Sequence, residues 1–449
     1  MTTQLDSEWL LLLPPFIRNR IEGRYNLQKI LGNTGWLFLD KILRMGVGVI
    51  VGAWMARYLG PEQFGALSFA TAFVAIFGVL AILGLDGIVV RDIVKDTQKS
   101  GEILASAFML KICGGVAAFS VSLLAIWVMR PSDSQAHWLV GIIAAGMLFQ
   151  AFDIVDLWFQ SQIQSKYTAI ARSSAFLLIA VVKIILILRH AQLIAFAWVG
   201  LAEIIVGAIN LIIAYRINGQ VFQASKFKLA TAKRLLSESW PLILSGFSIM
   251  IYIRIGQIML GQLLGQKEVG VYSAALRLSE IWYFIPAIVV SSIMPNISRA
   301  KAASEIAYYQ QLKKVFDALV KIAYSVSIPM TFLSGPLVVF LYGESYSDAG
   351  IILSIHIWSS VFIFLGVAMS PWIINENMFK FSLFQTSLGA VINIALNFMF
   401  IPLWGPKGVA IATLVSQIFA AYLALLATPK TRIIFKMETR AILLRSSAQ

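Results

Sequence analysis

Apolar residues gather into about twelve stretches of roughly twenty residues each along this chain, and that recurrence constrains the fold more than any other feature. In the first half the stretches are 35–56, 63–84, 103–128, 137–162, 168–188 and 193–214. In the second half they are 241–264, 269–293, 315–341, 351–373, 381–401 and 408–428. A helix of about 20 apolar residues crosses a hydrocarbon core of about 30 Å. Inside that core every backbone N–H and C=O must be paired within the segment, so helices are the economical solution. Of the 449 residues 59% are hydrophobic and 13% charged, against roughly 25% charged in a soluble domain. The sequence therefore predicts an all-α polytopic membrane protein with about twelve transmembrane helices. Turn residues such as Gly60-Pro61, Pro131, Gly219, Gly265, Gly343 and Gly405-Pro406 separate the stretches.

Basic residues orient the bundle. With a cytoplasmic N-terminus, the outer connections hold only Arg57, Arg130, Arg189, Lys267 and Lys407, while every other loop lysine and arginine falls inside. Both termini are expected in the cytoplasm, in an inner or plasma membrane, which requires an even helix count. The expected organisation is a cytoplasmic or interfacial segment 1–32, a six-helix lobe 33–217, a basic linker 218–238, a second six-helix lobe 239–428 and a basic cytoplasmic tail 429–449. No signal-peptide pattern opens the chain, because Pro14-Pro15 interrupts a short apolar run and no small-residue cleavage site follows. Membrane topology and anionic lipid account for the net charge of +14 without nucleic acid. The single cysteine, Cys113, excludes an internal disulfide framework and any zinc site built on two cysteines. The three histidines lie far apart, so no metal is expected.

The two halves share a repeat. Residues 59–70 and 264–275 both fit LG-x4-G-x2-S-x-A at a constant offset of 205 residues, each between the first and second helix of its half. Halves with an even number of helices repeat with the same orientation, which predicts two lobes related by a pseudo-twofold along the membrane normal. A turn signal common to two helical hairpins is the alternative source of the match.

Charges inside the spans are the candidate functional residues. Lys41, Arg44, Lys111, Arg172, Lys183, Arg254, Arg277 and Lys321 are basic, and Asp40, Asp153, Asp156, Glu203, Glu280 and Asp317 acidic. A central charge facing lipid costs about 2.5–3.5 kcal/mol on insertion scales, so the deep ones must face protein or water. Arg44, Arg254 and Arg277 are deepest, Lys111 is intermediate, and Lys41, Arg172, Lys183 and Lys321 are close enough to a helix end to snorkel. Asp40 and Arg44 are four apart and Arg277 and Glu280 three apart, the spacing of helical ion pairs. Arg254 has no carboxylate within four residues, which makes it the leading contact for an anionic ligand. Arg44, Arg254, Arg277 and Lys111 are the expected substrate-binding set, since a cationic cavity suits phosphate or an acidic sugar. Asp40, Asp153, Asp156 and Glu203 are the candidates for proton or cation coupling. Nearby aromatics such as Trp54, Trp158, Trp282, Tyr283 and Trp372 suit sugar stacking, but serve equally as interface anchors.

No P-loop, H-E-x-x-H, G-x-S-x-G or dinucleotide fingerprint is present. No enzyme activity and no cofactor are expected, and a gradient, the membrane potential or the substrate itself would drive transport.

Several stretches resemble polysaccharide flippases of the O-antigen and exopolysaccharide type. These belong to the superfamily of multidrug, oligosaccharidyl-lipid and polysaccharide transporters. The stretches are residues 33–44 (NTGWLFLDKILR), 56–65 (ARYLGPEQFG) and 84–92 (GLDGIVVRD), Trp158-Phe159-Gln160 before Lys166-Tyr167, and Pro402 with 405–413 (GPKGVAIAT). The resemblance implies two six-helix lobes around a central cavity that opens alternately to each side. It implies as substrate an oligosaccharide repeat unit on a polyprenyl diphosphate, flipped from the inner to the outer leaflet for surface polysaccharide synthesis. Membrane lipid and other polysaccharide-assembly membrane proteins are the implied partners. Arg44 and Arg254 sit on the first helix of each half, which lines the cavity in this family. They are not repeat-equivalent, however, because the counterpart of Arg254 is Val49. The alternatives are a cation-coupled drug exporter of the same superfamily and a membrane-embedded glycosyltransferase or polysaccharide polymerase.

Overall fold

The computed structural model describes residues 25–445, so most of the segment 1–32 lies outside the described residues. Helix α1 (Tyr25–Ile82) is broken at Gly60, and α2 (Asp86–Lys95) and α3 (Ser100–Met129) follow. Next come α4 (Ser134–Phe149), a 3₁₀ turn Gln150–Asp153, and α5 (Ile154–Ser161). Helices α6 (Ser165–Leu188) and α7 (Leu193–Ile217) complete the first half. The second half runs through α8 (Leu229–Leu263), α9 (Gln266–Glu280), α10 (Phe284–Ala303) and α11 (Glu305–Tyr342). It continues with α12 (Ala349–His356), α13 (Ser359–Ala368) and α14 (Ser370–Asn375), then α15 (Phe379–Trp404) and α16 (Pro406–Gln417). Helix α17 (Thr431–Ile442) is the last helix of the described chain.

Eleven continuous segments are long and apolar enough to cross a membrane among the described residues. The first of them contains two crossings, because its backbone turns at Gly60. The expected dozen spans is therefore present, and no strand interrupts them among the described residues. Large apolar side chains stand exposed on many helices, including Val128, Phe332, Phe340, Val391 and Leu403. Such an outer surface would aggregate in water and is stable only in lipid. The linker region is partly helical: α8 begins at Leu229 and runs unbroken through Pro241 into its span.

Packing divides the described chain into two compact units. One ends its first segment at Val51 and resumes with Phe77–Ile243; the other joins Gly52–Ile76 to the chain from Leu244 onward. The repeat explains why the segment 52–76 packs within the second unit. Gly60 (φ 70°) and Gly265 (φ 97°) open the two motifs in a backbone region that only glycine adopts readily. Five residues later, Gly65 and Gly270 bring two helices into backbone contact. A β-carbon on Gly65 would lie 1.8 Å from the carbonyl oxygen of Gln266, and one on Gly270 would lie 1.9 Å from that of Pro61. Positions 61 and 266 are themselves repeat mates, so the contact is reciprocal. The motif's last residues, Ala70 and Ala275, are fully buried.

Candidate functional site

Each unit carries a polar cluster among its spans. In the first unit the cluster forms where the fourth span is not a regular helix. The 3₁₀ turn Gln150–Asp153 tightens the chain between α4 and α5. Asp153 and Asp156 both reach one guanidinium there: Arg172 Nη2 donates to Asp153 Oδ1 at 3.1 Å and to Asp156 Oδ2 at 3.0 Å. A cavity of about 190 Å³ beside them is lined by Arg44, Gln150, Asp153, Arg172, Glu203 and apolar neighbours from α7. Glu203 accepts from Lys183 at 2.9 Å. The guanidinium of Arg44 lies 5.5 Å from the ring centroid of Phe176, a cation–π contact. Asp40 accepts from the hydroxyl of Ser173.

The Asp40–Arg44 pair that the spacing allows is thus not made; each residue turns to α6 instead. Arg172 and Lys183 form interior ion pairs in place of snorkelling, whereas Lys41 and Lys321 are exposed. Of the coupling candidates, Asp153 and Glu203 share the cavity and Asp156 is buried beside it. Lys111 lies apart from this cavity, almost fully buried and paired at 2.7 Å with the half-exposed Asp86.

In the second unit Arg254 is not the unpaired cation that its flanking sequence suggests. Its Nη1 lies 3.3 Å from Glu280 Oε1, at the end of α9. The same nitrogen is 3.4 Å from Gln257 Oε1, while Gln257 Nε2 donates to Ser273 at 2.7 Å. Glu280 therefore serves Arg254 across helices, and the Arg277–Glu280 pair that the spacing allows is not made. Arg277 is exposed, with its guanidinium 4.8 Å from the ring centroid of Phe64. Gly52 makes room for it, since a β-carbon there would meet Arg277 Nη1 at 3.0 Å. Tyr346 holds this corner by meeting Phe64 edge-on and donating to the Ala56 carbonyl at 2.7 Å.

The second unit also buries a pair of neutral polar side chains. Asn393 and Asn397, four apart on α15, are buried with Ser416 of α16. Asn397 donates to Asn393 at 2.9 Å, and Asn393 donates to Ser416 at 3.1 Å. Two carboxamides at i and i+4 inside an apolar run are the signal that would have found them. Burying such groups is costly unless they are bonded, so they tie α15 to α16. Among the described residues no three His, Cys, Asp or Glu side chains converge to hold a metal.

Chemically, the two clusters offer exposed and half-buried guanidinium groups, which bind oxyanions, next to carboxylates that can exchange a proton or a cation. Neither contains a nucleophile beside a base.

Comparison with known proteins bears on what such clusters serve. The family model described as polysaccharide biosynthesis protein matches residues 30–301, and a second, MatE, matches residues 241–399. A Haloferax volcanii protein named probable low-salt glycan biosynthesis flippase Agl15 is 24% identical over 403 residues, covering 85% of this chain and 79% of its own length. Among solved structures, an inward-facing multidrug resistance MATE transporter of the MOP superfamily superposes with a TM-score of 0.72 at 17% identity, covering 91% of this chain and all of that one. The lipid II flippase MurJ, in an inward closed conformation, superposes with a TM-score of 0.69 at 16% identity, covering 93% of each chain. The fold is that of this transporter superfamily.

Proposed function

Since the chain belongs to the polysaccharide biosynthesis protein family, we propose that it flips a polyprenyl-diphosphate-linked oligosaccharide repeat unit from the inner to the outer leaflet by alternating access. It is a multi-pass membrane transporter, not an enzyme. The observation that carries the substrate class is the exposed guanidinium of Arg277 inside an apolar span, with Arg44 half-buried in the other unit. A guanidinium that is always charged and carries five donors matches a diphosphate or an acidic sugar. In this reading Arg44, Arg254 and Arg277 take the head group in turn, and the lipid tail stays in the bilayer. Lys111, held by Asp86, supports the fold of the first unit. Asp153 and Glu203, already balanced by Arg172 and Lys183, are the groups whose protonation or cation binding would couple to movement, with Asp156 and Asp40 in support. The membrane is the cell membrane, with both termini cytoplasmic, and neighbouring polysaccharide-assembly proteins would receive the product.

The MatE match over residues 241–399 favours one second reading, a cation-coupled exporter of small molecules. Complementation separates the two. In a strain lacking this protein, Arg44→Ala and Arg277→Ala are expected to insert normally yet fail to restore surface polysaccharide. Lys replacements, which keep charge but lose the fork, are expected to restore it partly. Full restoration by both Ala variants would refute the anionic-substrate reading.

A further inference from the structure

The basic segment after the last span is a helix whose position can be read from two fixed points. Its start is tied to the end of a span: the Thr431 hydroxyl donates to the Leu425 carbonyl at 2.7 Å, and that span ends at Leu426. Its end is tied to α11, where the Tyr324 hydroxyl donates to the Ile442 carbonyl at 3.0 Å. Helix α11 carries no charged residue from 322 to 342, a stretch of about 30 Å that matches one hydrocarbon thickness. Tyr324 therefore stands at the membrane boundary, where the amphipathic Tyr ring is favoured. Both ends of α17 lie at that boundary, so the helix runs along the membrane surface rather than away from it.

Its two faces differ sharply. Ile434, Glu438 and Ala441 are buried in the core of the second unit, and Phe435 stacks on Tyr422 with centroids 4.6 Å apart. Arg432, Ile433, Lys436, Arg440, Leu443 and Leu444 are exposed. At 100° per residue Arg432, Ile433, Lys436 and Arg440 fall within an arc of about 100°, and Leu443 and Leu444 follow directly after the last turn. These six exposed residues set three cations beside three large aliphatics, with no acid among them. A helix face turned to bulk water has no use for the aliphatics, and one turned to hydrocarbon none for the cations. The headgroup layer accommodates both, with the aliphatics in the acyl boundary and the long basic chains reaching phosphate.

We infer that α17 is a surface-lying helix that binds anionic phospholipid headgroups through Arg432, Lys436 and Arg440, with Ile433, Leu443 and Leu444 inserted at the acyl boundary. The test uses the full chain reconstituted in vesicles of phosphatidylcholine with or without phosphatidylglycerol. With Cys113 replaced by Ser, an environment-sensitive fluorophore is placed at Ile433→Cys or Leu443→Cys. The control site is Ile306→Cys on α11, an exposed residue about 24 Å along the helix from the charge-free stretch. Brominated lipid is expected to quench probes 433 and 443 at least twofold more than probe 306. Brominated phosphatidylglycerol should quench them more strongly than brominated phosphatidylcholine. That preference should vanish in the triple variant Arg432→Gln, Lys436→Gln, Arg440→Gln, and added inorganic phosphate at constant ionic strength should leave it unchanged. Quenching at 433 and 443 no greater than at 306 would overturn the proposal and leave the face to a soluble protein partner. A preference abolished by inorganic phosphate would overturn it in favour of a free-anion site.

Discussion

Replacing Gly65 by Ala tests the reciprocal backbone contact of the repeat. The added β-carbon would stand 1.8 Å from the Gln266 carbonyl oxygen and 2.8 Å from the Gly270 nitrogen. Carbon-to-oxygen contacts settle near 3.3 Å, so the two helices must separate by about 1.5 Å or rotate. The obstacle is backbone, which cannot swing aside as a side chain does. Overpacking of this kind costs typically 1–3 kcal/mol, and a rigid carbonyl puts this site at or above the upper end. Gly270→Ala meets Pro61 in the same way and should cost as much. Gly78→Ala is the matched control, because its β-carbon would find only Met147 Cε at an ordinary 3.7 Å. Gly60→Ala isolates conformation from packing, since nothing lies within 4 Å but φ is 70°. The assay is the apparent melting midpoint in detergent at one scan rate, a kinetic measure suited to a large membrane protein. The expected order of destabilisation is Gly65 and Gly270 first, Gly60 between, Gly78 least. A Gly65→Ala midpoint equal to that of Gly78→Ala would refute the close approach.

Three further outcomes follow from buried charges. Asp86→Asn leaves the buried Lys111 with a neutral partner and should lower stability by about 1–3 kcal/mol, read as a lower midpoint that Lys111→Met restores in the double variant. Burial pushes the Glu438 carboxyl well above the ordinary glutamate range near 4.5. A raised acid binds a proton in the folded state that the unfolded state releases, so docking of α17 weakens as pH rises through and beyond that range. Hydrogen exchange over residues 431–442, corrected for intrinsic rates, should quicken from about pH 6 to pH 8 and lose that dependence in Glu438→Gln. Glu376 behaves oppositely. Burial alone would raise its carboxyl, but Lys301 at 2.5 Å and Lys430 at 2.8 Å outweigh it and hold it below the ordinary range. Its contribution is present above pH 4.5 and is lost as pH falls through the lowered value, which Glu376→Gln should make visible as a flattened acid limb of the stability profile.

Much of the site's composition was legible in the chain, while its pairing was not. The deep arginines were found because a charge in an apolar run stands out. Spacing along one helix sets Asp40 near Arg44 and Arg277 near Glu280, but it does not decide which groups pair. In the folded protein Asp40 and Arg44 turn to Ser173 and Phe176, and Glu280 to Arg254. A soluble helix advertises its inward side by an apolar stripe, but a span in lipid is apolar all round, so its rotation is not written in hydropathy. The Asn393–Asn397 pair went unnoticed for a related reason, since neutral amides barely change hydropathy but must be bonded once buried.

By itself, the amino-acid sequence determined a helical bundle with twelve crossings, their breaks at Gly60 and Gly265, and the presence of cations within the spans. These are properties of residues near one another in the chain: run length against bilayer thickness, and the backbone freedom of glycine. Tertiary structure alone decided that Gly52–Ile76 packs with the second unit, that Arg254 has a carboxylate partner, and that the basic tail begins as a helix docked by Thr431 and Tyr324. Those outcomes depend on which faces meet. In a bilayer that choice is made by close backbone approach and by polar groups that must find one another, through contacts between residues remote in sequence.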